Sequence, residues 1–213
     1  MGARMVGRII VSDACVAEGA AWLAACEPRF AAALVLTGPL PLRRQADGFA
    51  ALLDAIVGQQ VSVASARAIW ARLQAAGLTD AGEMARASDE ALRAVGLSRQ
   101  KARYGRALAQ AGIDYEGLRL RPDDAVMATL VAVPGIGRWT AEIYAMFALG
   151  RADVFAPGDL ALQEAAKLLF GLDARPSEQA LRAMAQAWSP WRGVAARALW
   201  AYYRVAKLRE GVR

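Results

Sequence analysis

The stretch Leu130–Glu142, LVAVPGIGRWTAE, limits the fold more than any other part of the chain, because its Pro-Gly-Ile-Gly turn lies between apolar residues at helical spacing. Helix, tight turn, helix is the arrangement it allows. Pro134 stiffens the way in, and glycine takes backbone angles closed to other residues and lets a ligand come close to the main chain. The amides of Gly135 and Gly137, and those of Arg138 through Thr140 at the start of the next helix, then point toward an anion, helped by the positive end of the helix dipole. Locally the turn reads either as a grip on one phosphate or as a plain corner between two helices.

The remainder of the chain has the same character. Of its 213 residues 56% are hydrophobic, strand-type alternation is nearly absent, and apolar residues recur at helical spacing, so the fold class is all-α with at most a short extended piece near the N-terminus. The length suits one compact unit or two small packed lobes. A helix is expected around Ala17–Ala25, followed by an irregular connection at Leu36-Thr-Gly-Pro-Leu-Pro. Leu53, Ile56, Val57, Gln60 and Val61 form one helical stripe, with a break expected near Gly58 and a continuation over Val63–Leu73. Shorter helices follow at Thr79–Ala87, Asp89–Val95 and Arg99–Ala111, with Ser88 and Ser98 as N-caps and Gly77, Gly96 and Gly112 as stops. LRAVGLSRQKA at Leu92–Ala102 echoes LVAVPGIGRWTA at Leu130–Ala141, and the two read as helix–turn–helix units of one design. Pro157 or Gly158 opens a helix that stops at Gly171, and the last helix covers Ala195–Lys207. Trp188 and Trp191, around Pro190, read as packing residues.

The residue types present exclude several chemistries. Histidine is absent, which removes Ser-His-Asp catalysis and most catalytic zinc sites. Cys15 and Cys26 are too few for a disulfide scaffold or a four-cysteine cluster, so no iron–sulfur cluster is expected and both read as helix-packing residues. A formal charge of +6 with a pI near 9.8 favours an acidic partner such as nucleic acid. The absence of a long apolar run or a signal-peptide pattern leads to the expectation of a cytoplasmic, nucleoid-associated protein without membrane contact.

A phosphate-gripping turn followed some twenty residues later by a lone carboxylate in a Pro-Gly-Asp helix start resembles the helix-hairpin-helix (HhH-GPD) DNA glycosylases. IVGQQVSVASA at Ile56–Ala66, VPGIGRWTAE at Val133–Glu142, DVFAPGD at Asp153–Asp159 and WSPWR at Trp188–Arg192 stand in that family's order, and the branch they look most like is the 3-methyladenine DNA glycosylase II (AlkA) type. The resemblance implies a two-lobed helical fold with a DNA-binding cleft between the lobes, one made of residues 49–151 and the other of 1–48 with 152–213. It implies Asp159 as the catalytic carboxylate, which a purely local reading makes a helix cap, and Trp139 and Trp200 as walls of the pocket for a flipped base. It places Gln60 at the position of the wedge that fills the gap in the duplex, and Gly135, Gly137, Arg138 and Thr140 on the DNA backbone. Main-chain carbonyls of Val131, Val133 and Ile136 would hold a monovalent cation, Na+ or K+; no other cofactor is implied. Arg99, Lys101, Arg103 and Arg106 are further candidates for phosphate contact, and Asp153 is read as a cap or an arginine partner.

In family members that also cut the strand, a lysine follows the glycine turn where this chain has Trp139, so the resemblance implies base removal without strand cleavage. The expected partner is double-stranded DNA with a damaged base, bound by a monomer, and the expected lesions are alkylated bases of the 3-methyladenine and 7-methylguanine type. Two alternatives stay open: excision of deaminated, oxidised or mismatched bases, and a DNA-binding module of this fold without catalysis. The segment before Leu52 is too short for the β-rich N-terminal domain that the AlkA type usually carries.

Overall fold

The computed structural model describes residues 6–210, the side chains of residues 209 and 210 excepted. Among the described residues the helices are, in order, α1 (Asp13–Cys26), α2 (Pro28–Thr37), α3 (Phe49–Gly58), α4 (Val63–Ala75), α5 (Ala81–Arg86), α6 (Asp89–Ala94) and α7 (Arg99–Gln110). They continue with α8 (Tyr115–Leu120), α9 (Asp123–Val131), α10 (Arg138–Phe147), α11 (Leu160–Phe170), α12 (Glu178–Met184) and α13 (Arg192–Glu210), with a 3-10 turn at Ala185–Trp188. The extended structure found is one isolated antiparallel bridge, Ile9 to Arg151. The chain divides into two compact units, Gln45–Tyr144 in the first and Gly7–Arg44 with the described residues from Ala145 onward in the second. Residues 1–5 and 211–213, the outer ends of the expected discontinuous lobe, lie outside the described residues.

In the first unit the apolar stripe of α3 buries Leu52, Leu53, Ile56 and Val57 completely. The expected stripe does not reach Gln60 and Val61. α3 stops at Gly58, Gln59 is extended, and Gln60 turns left-handed at φ 57° before Ser62 caps α4 by accepting the Ser65 amide at 3.2 Å. Gln60 and Val61 thus leave the apolar face and are exposed. Ser88 and Ser98 do cap α6 and α7, each accepting the amide three residues on.

The two echoing segments fold alike. Gly96, between α6 and α7, and Gly135, between α9 and α10, share a φ of 94°. Leu92, Val95, Leu97 and Ala102 are buried in the first turn unit as Leu130, Val133, Ile136 and Ala141 are in the second. Matching apolar residues on either side of a left-handed glycine produce the same corner twice, the second with Pro134 as one extra residue in the turn.

The second unit packs α13 against α1, α2 and α11. The sequence reading missed α2, because Phe30 and Ala33 are its buried residues and make no apolar stripe. Glu27 creates the junction: it is extended (φ −141°, ψ 107°), ends α1, and accepts the Arg29 amide at 3.0 Å while Pro28 opens α2. The core gathers around Trp188, edge-on to Phe30 at 5.3 Å and to Phe155 at 5.6 Å and stacked on Phe170 at 5.7 Å. Such pairs add about 0.5–1.5 kcal/mol each beyond area burial. Trp191 covers Gly19, where a Cβ would meet the indole at 2.6 Å. Both tryptophans therefore pack the core, as the sequence suggests.

Candidate active site

Two groups of expected site residues can be built from their local structure, one in each unit. In the first unit α9 ends at Val131, the turn runs through Val133 and Ile136, and α10 starts at Arg138. The Ile136 amide donates to the Val133 carbonyl at 3.0 Å and closes the turn. Gly135 is required twice over: its φ of 94° is left-handed, and a Cβ there would meet Tyr104 Cδ2 at 2.6 Å. The Gln59 side-chain amide donates to the Gly135 carbonyl at 3.0 Å and ties the end of α3 to the turn.

Gly137 departs from the sequence reading. Its φ is not left-handed, and nothing stands within 4 Å of where its Cβ would be. Its smallness serves open space beside the helix start rather than a special backbone angle. The first amides of α10 lack acceptors within the helix by geometry alone, which provides donors to an anion. Arg138 reaches back to Glu142, Nε to Oε1 at 3.1 Å, and the carboxylate it meets is almost wholly buried while the guanidinium is 59% exposed. The Thr140 side chain is buried, so this residue can offer an incoming phosphate only its main chain. Trp139, on the first turn of α10, is 47% exposed.

The second group centres on Asp159. Asp159 is extended at the N-cap of α11, and its Oδ1 accepts the amides of Ala161 and Leu162, each at 3.0 Å. The helix therefore starts at Leu160, two or three residues later than expected. The Trp200 indole N–H donates to the same oxygen at 3.2 Å. Three N–H groups converging on one oxygen fix the carboxylate's orientation. The cap reading of Asp159 is thus observed directly, with both capping bonds on Oδ1. Gln163, buried in α11, donates to the Pro157 carbonyl at 2.8 Å and holds the loop that delivers the carboxylate.

The surroundings of Trp200 were not legible in the sequence. Its ring lies 5.7 Å from that of Phe147, and the Arg43 guanidinium sits over it at 5.9 Å. Arg43 has the left-handed φ of 51°, and burial followed by the charge of Arg204 lowers its pKa. Arg197 is fully buried over Phe147, donating to the carbonyls of Leu42 and Gly193. Burial first, then the charges of Arg43 and Arg44, pull its pKa down to about 10.

Other expected positions are committed to the protein itself. Lys101 donates to the Val57 carbonyl at 2.7 Å, capping the C-terminus of α3, and Arg106 pairs with Asp89 at 2.5 Å. These two are corrections to the expected phosphate contacts. Asp153 takes both arms of Arg192, at 2.8 and 2.9 Å, together with the Ser189 hydroxyl, in keeping with its reading as an arginine partner. Cys15 is half-buried and Cys26 exposed, so Cys26 is not a packing residue. Among the described residues no cluster of acids and cysteines could hold a metal ion, and no helix is long and apolar enough to cross a membrane.

A family model described as HhH-GPD superfamily base excision DNA repair protein matches residues 53–192. The chain is 33% identical over 168 residues to DNA-3-methyladenine glycosylase 2 of Escherichia coli (strain K12), a match covering 72% of this chain and 57% of that protein. The DNA-3-methyladenine glycosidase from Bacillus halodurans superposes with a TM-score of 0.81 at 32% identity, covering 95% of this chain and 94% of the other. The Schizosaccharomyces pombe 3-methyladenine DNA glycosylase Mag1, solved in complex with abasic DNA, gives a TM-score of 0.74 at 25% identity, covering 86% and 95%. The chain spans about half the length of the curated relatives it matches.

Proposed function

Because this chain belongs to the HhH-GPD superfamily of base excision DNA repair proteins, we propose that it is a DNA N-glycosylase that flips an alkylated base out of the duplex, hydrolyses its N-glycosidic bond and leaves an abasic site. The observation that carries this reading is the Asp159 carboxylate, held by three N–H donors of which one is the indole of Trp200. Cleavage of the bond leaves positive charge on the sugar, and a preoriented carboxylate stabilises that charge and positions the attacking water. Extrusion of the base costs a few kcal/mol of stacking, least for damaged bases. Trp139 and Trp200 supply ring faces, which attract bases made cationic by alkylation with about 0.5–2 kcal/mol per well-placed ring.

On the DNA side, the amides of Gly135, Gly137 and the first turn of α10 through Thr140 bind a backbone phosphate, with Arg138 beside them. Gln60, exposed at a left-handed turn between two helices, enters the duplex. The Val131, Val133 and Ile136 carbonyls suit a monovalent cation. Val131 closes α9, where carbonyls lack intrahelical donors, and Val133 accepts one amide and keeps a second lone pair. A cation bound there would supply positive charge beside the phosphate. Strand cleavage through a Schiff base is not expected, since Trp139 offers no amine where strand-cutting relatives carry lysine.

The test is base release from methylated duplex DNA by the parent and Asp159→Asn. Free methylated purines from the parent, strands that break only after alkali, and a variant that binds without releasing base uphold the reading. Equal DNA binding with no release by either protein overturns it.

A further inference from the structure

The α6–α7 turn has the form of the α9–α10 turn, yet the reaction proposed above makes no use of it. Its glycine has the same φ of 94°, its four apolar anchors are buried at matching positions, and Arg99 opens α7 as Arg138 opens α10. Beside it lies a cleft of about 650 Å³ whose lining includes Arg93, Ser98, Arg99, Arg103, Arg106 and Asp89. Asp89, the carboxylate of that lining, is taken by Arg106 at 2.5 Å. Glu90 acts on Arg93 through space, and Arg103 lies 5.8 Å from the Tyr104 ring. Arg93, Arg99 and Arg103 are exposed, so the cleft keeps a net excess of positive charge.

We propose that this cleft is a second phosphate-binding site, which takes backbone phosphates of the same DNA away from the lesion, with Arg99 and Arg103 as principal ligands and Arg93 in support. It rests on the DNA-binding part of the reading above. Continuity favours DNA over a small free anion. Ser98 lines both this cleft and a neighbouring pocket of about 270 Å³ that includes Gln59, Gln60 and Tyr104, and Tyr104 is the ring against which Gly135 packs. A polyanion lying along the α9–α10 turn and Gln60 therefore meets a surface that leads directly to the arginines. The first turn lacks a counterpart of Pro134, and Ser98 stands where Gly137 does, its hydroxyl oxygen accepting the Lys101 amide. One helix amide is thereby taken, so the arginines rather than the helix start supply most of the attraction.

The experiment is the salt dependence of binding to an undamaged duplex, for the parent, for Arg99→Gln with Arg103→Gln, and for Lys101→Met as a control for structural damage. Each phosphate contact contributes about 0.9 to the slope of log affinity against log salt, so the double variant should lose about 2 from the slope. Arg99→Lys with Arg103→Lys, which keeps both charges, should restore the slope. An unchanged slope in the double variant overturns the proposal, as does a slope that falls equally in Lys101→Met. Stabilisation of the parent but not the double variant by millimolar inorganic phosphate, with coincident DNA slopes, also overturns it in favour of a free anion. If no base is released from any DNA while the slope still falls, the glycosylase reading fails and the second site stands. If the protein binds no DNA at all, both fail.

Discussion

The indole nitrogen of Trp200 donates to Oδ1 of Asp159 at 3.2 Å, on the oxygen that also receives the amides of Ala161 and Leu162. A wall of the expected pocket thereby orients the expected catalytic group. Trp200→Phe keeps the ring and removes the donor. A hydrogen bond to a charged group is worth about 1.5–3 kcal/mol, so base release should slow about ten- to hundredfold, with DNA affinity little changed. Single-turnover release at saturating DNA measures this, and a rate within twofold of the parent would contradict it.

The two aspartates flanking the loop before α11 should separate chemistry from stability. Asn caps helices about as well as Asp, so Asp159→Asn should melt within a few degrees of the parent while losing base release. Asp153→Asn weakens a two-armed pair with Arg192 and should cost about 1–3 kcal/mol with release retained. Denaturant titration together with the release assay reads both, and loss of release in both variants at equal stability would contradict the assignment.

The hairpin glycines should respond in opposite ways. Gly135→Ala meets both a left-handed φ and the Tyr104 ring, which predicts a loss of at least about 1–3 kcal/mol. Gly137→Ala meets open space at an ordinary φ, so melting should be unchanged while DNA affinity falls because the methyl stands where a phosphate approaches. A melting curve and a binding curve for each variant decide the matter.

Alkaline pH should loosen the first unit through Tyr144. Burial is the main cause that pushes its phenol up to about 12, whereas an unfolded tyrosine ionises near 10. Between those values the folded state holds a proton that the unfolded state has lost, so stability falls as pH rises from about 10 to about 12. Tyr144→Phe gives up the acceptor of the Gly48 amide, a 2.9 Å bond, and should be about 1 kcal/mol less stable at pH 8. That deficit should shrink above pH 10, as urea titrations at both pH values would record.

What could be read from the sequence was local. Asp159 announces itself by following Pro157-Gly158 before an apolar run, and Ser88 and Ser98 by preceding helices; Gly135 sits in a turn that needs it. What could not be read depends on distant partners. Gln59 meets the Gly135 carbonyl across 76 positions, and nothing near Arg43 indicates that its guanidinium covers Trp200. Gln60 misled because it continues a helical spacing that the backbone abandons at Gly58, and Lys101 because its charge looks like any surface charge until its ammonium is seen on the Val57 carbonyl.

The cap of α11 and the proposed catalytic group are the same carboxyl, with an evolutionary consequence. Exchange of Asp159 for asparagine should leave α11 well begun, so on the proposed assignment a lineage can shed the reaction without shedding the fold. Descendants of such a step would remain stable proteins with the α9–α10 turn intact, free to be selected for binding alone.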